Sequence, residues 1–271
     1  MAAGLGPTIV SHNICYMKLN SLLDPTQRFS NRVDNYRRYR PGYPPAVIDL
    51  IRKTAALNPG AAVADIGSGT GIFTRLLLEA GFDVSAVEPN EPMRQVAEAD
   101  LGSFPGFHSI TAPAERTGLP DHHAGALTAA QSFHWFERDL AQAEFRRILK
   151  PDGWVFLIWN ERKPGSSAFN RDYQALLASF GENLRVQTEG NKAAVRDFFV
   201  PGSYRVDTFD NPHRLDWEQL RGRFLSSSYT PTQDDPRYPS LLARLEEIFR
   251  SHEQDGWAEF EQQTSIHMGR L

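Results

Sequence analysis

The stretch Ala61–Leu78 constrains the fold more than any other part of this chain. An apolar run, Ala61-Ala62-Val63-Ala64, leads into Asp65-Ile66-Gly67-Ser68-Gly69-Thr70-Gly71. A helix-forming run, Ile72-Phe73-Thr74-Arg75-Leu76-Leu77-Leu78, follows at once. That order is strand, glycine turn, helix. Glycine has no Cβ and tolerates positive φ, so such a turn lets backbone come close to a bound molecule. A dinucleotide fingerprint reads GxGxxG, with its third glycine three residues after the second. Here Ile72 holds that position and Gly71 comes one residue early. The spacing carries no pyrophosphate signature and points instead to a nucleoside with a non-phosphate tail.

From this turn onward strands and helices alternate. Expected strands are Ala61–Asp65, Asp83–Glu88, Phe107–Thr111, Ala126–Ala130 and Trp154–Trp159. Helices fit Ala46–Ala56, Ile72–Ala80, Pro92–Ala99 and Leu140–Leu149. Lys150-Pro151-Asp152-Gly153 reads as a turn releasing the chain into the fifth strand. Alternation of this kind implies a mostly parallel sheet covered on both faces. After Asn160 the pattern changes. Gly165–Phe199, Trp217–Leu225 and Ser240–Arg250 read as helical, while Tyr204–Asp210 and Phe260–Met268 alternate like strands. The expected fold is therefore α/β and Rossmann-like, with a seven-stranded, mostly parallel sheet, helices on both faces and a helical cap inserted after the fifth strand. Four regions are expected: a leader at 1–27, a cofactor-covering segment and helix at 28–60, a binding core at 61–160, and the cap with the last strands at 161–271.

At 271 residues the chain fits one large α/β domain with an insertion. The net charge of −4 offers no basic field for nucleic acid. A lone cysteine, Cys15, excludes an internal disulfide framework and a cysteine zinc site, and makes a reducing compartment, the cytoplasm, the expectation. No apolar run approaches the ~18 residues of a membrane-spanning helix. The segment 1–20 lacks the basic and apolar regions of a signal peptide. His122-His123 sits in a turn with no third ligand in evidence, so no metal is expected.

Several side chains fall where ligands of open α/β sheets bind, at the carboxyl ends of the strands. Glu88 ends the second strand, where an acidic side chain can accept two hydrogen bonds from a ribose diol; it can equally be a surface carboxylate capping the next helix. Pro89 and Met93 can press on an adenine face, or Met93 can be core. Ala114 and Glu115 follow the third strand and can meet the adenine edge, or Glu115 can be an exposed loop carboxylate. His134, in Gln131-Ser132-Phe133-His134-Trp135-Phe136, is a candidate general base after the fourth strand. The alternative is a structural histidine packed by Phe133 and Trp135. Trp135 and Trp159 are candidate apolar walls of a substrate pocket, or core. Asn160, ending the fifth strand, can position a polar substrate group.

Taken together, DIGSGTG, VEPNEPM, APAERTGLP, FHWF and RILKPDGWVFLIWN resemble the class I S-adenosylmethionine-dependent methyltransferases of the small-molecule group. The resemblance runs from about Ala61 to Asn160. The flanks Tyr36–Pro44 and Ser226–Pro231 resemble the subset that includes trans-aconitate methyltransferase-like proteins. Position by position, the resemblance implies that Gly67, Gly69 and Gly71 pass their backbone under the methionine part of S-adenosyl-L-methionine. Asp65 orients that loop and the methionine ammonium. Glu88 holds the ribose hydroxyls, Ala114 and Glu115 line the adenine, and Gln131 faces the methionine end. Tyr36 and Arg40 fold over the cofactor, with Arg40 either pairing with its carboxylate or tying the N-terminal segment to the domain.

The implied reaction is in-line methyl transfer to a small-molecule acceptor, for which alignment and exclusion of water supply much of the rate. The analogy to trans-aconitate suggests a carboxylate acceptor. Gln131-Ser132-Phe133-His134 does not match the Asn/Asp-Pro-Pro-aromatic motif of amino-methylating nucleic-acid enzymes, which favours a small molecule. Two other classes stay open: a non-catalytic S-adenosylmethionine-binding or interaction protein, and a nicotinamide-dependent oxidoreductase, which Ile72 disfavours.

Overall fold

The computed structural model describes residues 37–163, 165–179, 195–227, 230–231 and 233–271. Its centre is a seven-stranded sheet in the order β3-β2-β1-β4-β5-β9-β6. The strands are β1 (Ala62–Ile66), β2 (Asp83–Val87), β3 (Phe107–Ile110), β4 (Ala124–Ala130), β5 (Leu149–Arg162), β6 (Arg205–Asp210) and β9 (Gln262–Gly269). The first five pair in parallel, and β9 runs antiparallel between β5 and β6. This is the α/β, Rossmann-like architecture expected from the alternation.

Central strands of a parallel sheet are buried on both faces. Period-two alternation therefore sends successive side chains into two separate cores. Ile66, Leu127 and Leu157 join one core with Phe145 and Ile148 of helix α4 (Arg138–Ile148). Val63, Ala126 and Phe156 join the other. That second core also takes in α1 (Ala46–Thr54), α2 (Ile72–Glu79) and α3 (Glu91–Leu101), through Ile51, Leu77 and Leu101 among others. Each fully buried side chain of this size contributes on the order of 2 kcal/mol.

A third apolar cluster lies apart from the sheet. It unites α5 (Ala168–Ala178), α6 (Trp217–Leu225) and α7 (Tyr238–His252) around Tyr173, Phe224, Leu245 and Phe260. Helix α6 begins with a capping box: Asp216 accepts from the Gln219 amide while the Gln219 side chain accepts from the Asp216 amide. These helices are not one insert. Helix α5 precedes β6, whereas α6 and α7 follow it.

Two local expectations are corrected. Lys150–Gly153 is not a turn ahead of the fifth strand but a bulge within it. Ala124 pairs with Leu149 and Ala126 with Trp154, so these four residues lie opposite Gly125 alone. The late run near Phe260 is two strands. Ala258–Phe260 (β8) pairs with His213–Leu215 (β7) in a small separate sheet, and the main sheet resumes only at Gln262.

Candidate functional site

The chain runs outward from β1 through β2 to β3, then returns to place β4 on the other side of β1. The crevice at that reversal, outside the carboxyl ends of the strands, is where open α/β sheets bind ligands. A cavity of about 250 Å³ opens there.

One wall is the glycine turn and its supports. Gly67, Gly69 and Gly71 all have positive φ, at 67°, 59° and 82°. The Gly67 and Ser68 amides donate to the Val87 carbonyl, at 2.8 and 3.1 Å, which lays the turn across the end of β2. Glu88 then clasps the turn from the side. Its Oε2 accepts from the Gly69 amide and its Oε1 from the Asn90 amide, both at 2.8 Å. Each oxygen keeps further lone-pair capacity. Burial pushes the Glu88 pKa up, and the two amide bonds pull it back down. The Asn90 side chain accepts from the Met93 amide and so caps α3, which places Met93 on the same wall.

Asp65 sits beneath this turn, fully buried. It accepts from Thr74 Oγ1 at 2.6 Å and from Thr128 Oγ1 at 2.7 Å. Burial pushes its carboxyl up to about 6, against the lowering effect of the two hydroxyls. Thr70, two residues before α2 begins, is also buried. Its Oγ1 has no partner among the described residues, and Thr70 lines the cavity.

The opposite wall is assembled from distant pieces. The segment Arg37–Tyr43 crosses the cavity and contributes Arg40, Pro41 and Tyr43 to it. Tyr43 meets Phe73 edge to face at 5.0 Å. The end of β4 contributes Gln131, Ser132, Trp135 and Phe136, and β5 contributes Asn160. Gln131 is held in the left-handed region, φ 60°, and its Nε2 donates to the Asn160 carbonyl at 3.2 Å. The Asn160 side chain donates to the Gly42 carbonyl at 3.1 Å and accepts from Thr264 Oγ1 at 2.6 Å. The walls touch where Ser132 Oγ donates to the Ile66 carbonyl, at 2.7 Å. A Cβ on Gly67 would lie 2.5 Å from the Ser132 Cβ.

Of the residues expected from sequence, Arg40, Asp65, Gly67, Gly69, Glu88, Pro89, Met93, Ala114, Glu115, Gln131, Trp135 and Asn160 all line this one cavity. Tyr36 lies outside the described residues. Three others stand elsewhere. Gly71 faces α3: a Cβ there would meet Leu101 Cδ1 at 2.5 Å and the Ala97 Cβ at 3.2 Å, so this glycine serves loop–helix packing. Trp159 points to the face of β5 opposite Asn160, as strand alternation requires, and packs edge to face on Phe133 and His267. His134 is exposed and does not line the cavity; the short 3₁₀ turn Phe133–Trp135 turns Phe133 inward and His134 out. Arg40 donates to the carbonyl of Ser226, the C-cap of α6, at 3.2 Å. Glu115 Oε1 accepts from the Glu137 amide at 2.7 Å. Sequence reasoning missed Tyr43, Thr70, Asn90 and Phe136, although each stands within a motif already singled out.

Residues 64–157 match the methyltransferase domain family. That match is a likeness of the sheet core, from β1 into β5, to a methyltransferase domain. An uncharacterized methyltransferase of Mycobacterium bovis is 38% identical over 139 residues, 51% of this chain and 54% of that protein. The chain thus spans about half the length of the first curated relatives it matches. An uncharacterized methyltransferase of Schizosaccharomyces pombe is 29% identical over 225 residues, 82% of this chain and 87% of that one. Among solved structures, a proposed type II methyltransferase from Anaeromyxobacter dehalogenans superposes with a TM-score of 0.61 at 22% identity. It covers 86% of this chain and 98% of its own. Phosphoethanolamine N-methyltransferase 2 of Haemonchus contortus, solved with S-adenosyl-L-methionine, superposes with a TM-score of 0.52 at 14% identity, covering 93% and 59%. These last two likenesses concern the fold. The matched segment ends within β5, so Asn160 and the strap residues Arg40–Tyr43 of the cavity stand outside it.

Proposed function

We propose that this protein is an S-adenosylmethionine-dependent methyltransferase acting on a small carboxylic acid. The observation that carries the cofactor assignment is the convergence of Asp65, Gly69, Thr70 and Glu88 on one cavity. Gly69 presents bare backbone there: a Cβ would meet only Met93 Sδ, at 3.8 Å. Thr70 Oγ1 is an orphaned buried hydroxyl that a polar ligand atom can satisfy. Asp65 offers a carboxylate to an ammonium, and Glu88 offers lone pairs to a diol. Met93, Pro113 and Ala114 provide an apolar slot for a base. When bound, the cofactor supplies a methyl group already activated on a sulfonium. The chain's part is to align an acceptor with that methyl and exclude water.

What the second wall offers supports this acceptor class. Among the described cavity residues there is no histidine, lysine or cysteine, and Asp65, Glu88 and Glu115 already accept hydrogen bonds from the protein. An acceptor that is nucleophilic without losing a proton suits such a site, and a carboxylate is one. Arg40 supplies a guanidinium, Gln131 and Asn160 supply amides, and Tyr43, Trp135 and Phe136 supply flat apolar surface. The net charge of −4 favours a small molecule over nucleic acid, and the single cysteine favours the cytoplasm.

Calorimetry with S-adenosylmethionine, S-adenosylhomocysteine and NAD tests the cofactor. Binding of the first two and not the third is expected; binding of neither sulfur compound sinks the assignment. A panel of small acids and amines, scored by S-adenosylhomocysteine formation and by methanol released from the product in alkali, tests the acceptor. Methyl transfer to amines alone would remove the carboxylate.

A further inference from the structure

The strap Arg37–Tyr43 carries three cavity residues, Arg40, Pro41 and Tyr43, so whatever fixes the strap fixes that wall. At its far end the Gly42 carbonyl accepts from Asn160 and Asn211, at 3.1 and 3.0 Å. At its near end Arg37 pairs with Asp100 at the end of α3, an exposed contact of small worth in water. Between these ends the strap lies along α6. Glu218, Gly222 and Ser226 recur every four residues and so share one face of that helix. Tyr39 OH donates to Glu218 Oε1 at 2.8 Å, and Arg40 donates to the Ser226 carbonyl. The Tyr39 ring rests on Gly222 itself. A Cβ there would lie 2.2 Å from Tyr39 Cδ2 and 2.4 Å from Cγ and Cε2. Glycine weakens the interior of a helix, and here its missing side chain makes the notch that admits the ring.

We propose that Tyr39, seated in the Gly222 notch, is a latch that holds the strap closed over the cavity and sets how fast a bound ligand leaves. The part concerning ligand release rests on the cofactor assignment above; the latch itself does not. Tyr39 and Gly222 touch no cavity residue's reacting atoms, so they are positioning residues. They act on the cavity through Arg40, Pro41 and Tyr43. The strap thus ties α6 to the rim of the cavity, while α5 is tied to the sheet separately, through Asn170 to the Lys163 and Glu261 carbonyls.

Gly222→Ala tests this with opposite signs. Were Gly222 merely a helical residue, alanine would raise thermal stability and leave the strap alone. With a latch, backbone amides of residues 38–43 exchange hydrogen at least about tenfold faster in the ligand-free protein. S-adenosylhomocysteine then dissociates about tenfold faster in stopped-flow fluorescence. Tyr39→Ala gives the same result. Adding Gly222→Ala to it changes nothing further, because the ring that would clash is gone. Unchanged strap exchange in Gly222→Ala overturns the latch. Faster exchange with unchanged dissociation overturns the control of release. A wild-type protein that binds neither sulfur compound would overturn the cofactor assignment, while strap exchange still decides the latch.

Discussion

The two walls of the cavity are built on different length scales. On the glycine wall, Glu88 reaches Gly69 and Asn90, and Asp65 reaches Thr74 within its own strand–turn–helix unit. On the far wall, Arg40 reaches Ser226 across 186 positions, and Asn160 reaches Gly42 and Thr264 across 118 and 104. The first wall is built from β1, α2, β2 and the start of α3, with Thr128 of β4 as the longer-range partner of Asp65. The second exists only when β5, β9, α6 and the strap have all come together. Changes on the first wall should therefore strike binding of the cofactor's core, and changes on the second should strike closure and turnover.

The largest effect is expected on the glycine wall. Gly69→Arg places a long side chain where only Met93 Sδ stands nearby, in the space assigned to the methionine tail. Affinity for S-adenosylmethionine should fall by about a thousandfold or more, roughly 4 kcal/mol, with the chain still folded by circular dichroism. Calorimetric affinity within a factor of three of wild type would mean that this wall is not where the cofactor lies.

Asp65 gives a smaller effect with a distinctive pH signature. Burial raises its folded pKa from 3.8 to about 6, so the folded state holds the proton more tightly than the unfolded state. Its contribution to stability is complete below about pH 4 and is lost as pH rises through 6, by up to about 3 kcal/mol. The ligand-free protein should therefore lose stability in urea titrations between about pH 4 and pH 6. Asp65→Asn should flatten that slope. A bound ammonium favours the ionised carboxylate, so affinity for S-adenosylmethionine should rise over the same interval in wild type and stay flat in Asp65→Asn. Parallel pH profiles for the two proteins would detach Asp65 from the ligand.

The same difference in length scale explains what could be read from the sequence. The alternation of Val63, Val84, Leu127 and Phe156 with helical runs was enough for the parallel sheet, since burial on both faces leaves an unbroken apolar imprint. The cavity residues of the glycine wall were legible because they occupy strand ends within two short motifs. What was not legible depends on partners far away in the chain. Gly71 looks like its two neighbours in sequence, but Leu101 and Ala97 of α3 decide its role. Trp159 and Asn160 are adjacent, but the pleat of β5 sends them to opposite faces, and only the register with β9 shows which of them meets the cavity. Gly222 gave no signal at all, because nothing in α6 announces the ring of Tyr39.

The smallest effect is expected at His134, and it is the one that most sharply tests the division between walls. Sequence position alone makes His134 attractive: it follows β4, two residues before Phe136 of the cavity. The 3₁₀ turn sends it outward, with its ring 4.9 Å from Trp135 and exposed, while Trp135 and Phe136 line the cavity. A general base that is removed costs about a hundredfold to ten-thousandfold in turnover. A carboxylate acceptor needs no base, so His134→Ala should change kcat by less than about threefold, with cofactor affinity and melting temperature preserved. A hundredfold fall in kcat at unchanged cofactor affinity would mean that the acceptor carries a proton to be removed. It would also mean that the far wall rearranges around the acceptor to bring His134 in. The acceptor class and the fixed geometry of that wall would then fall together, while the glycine wall would stand untouched.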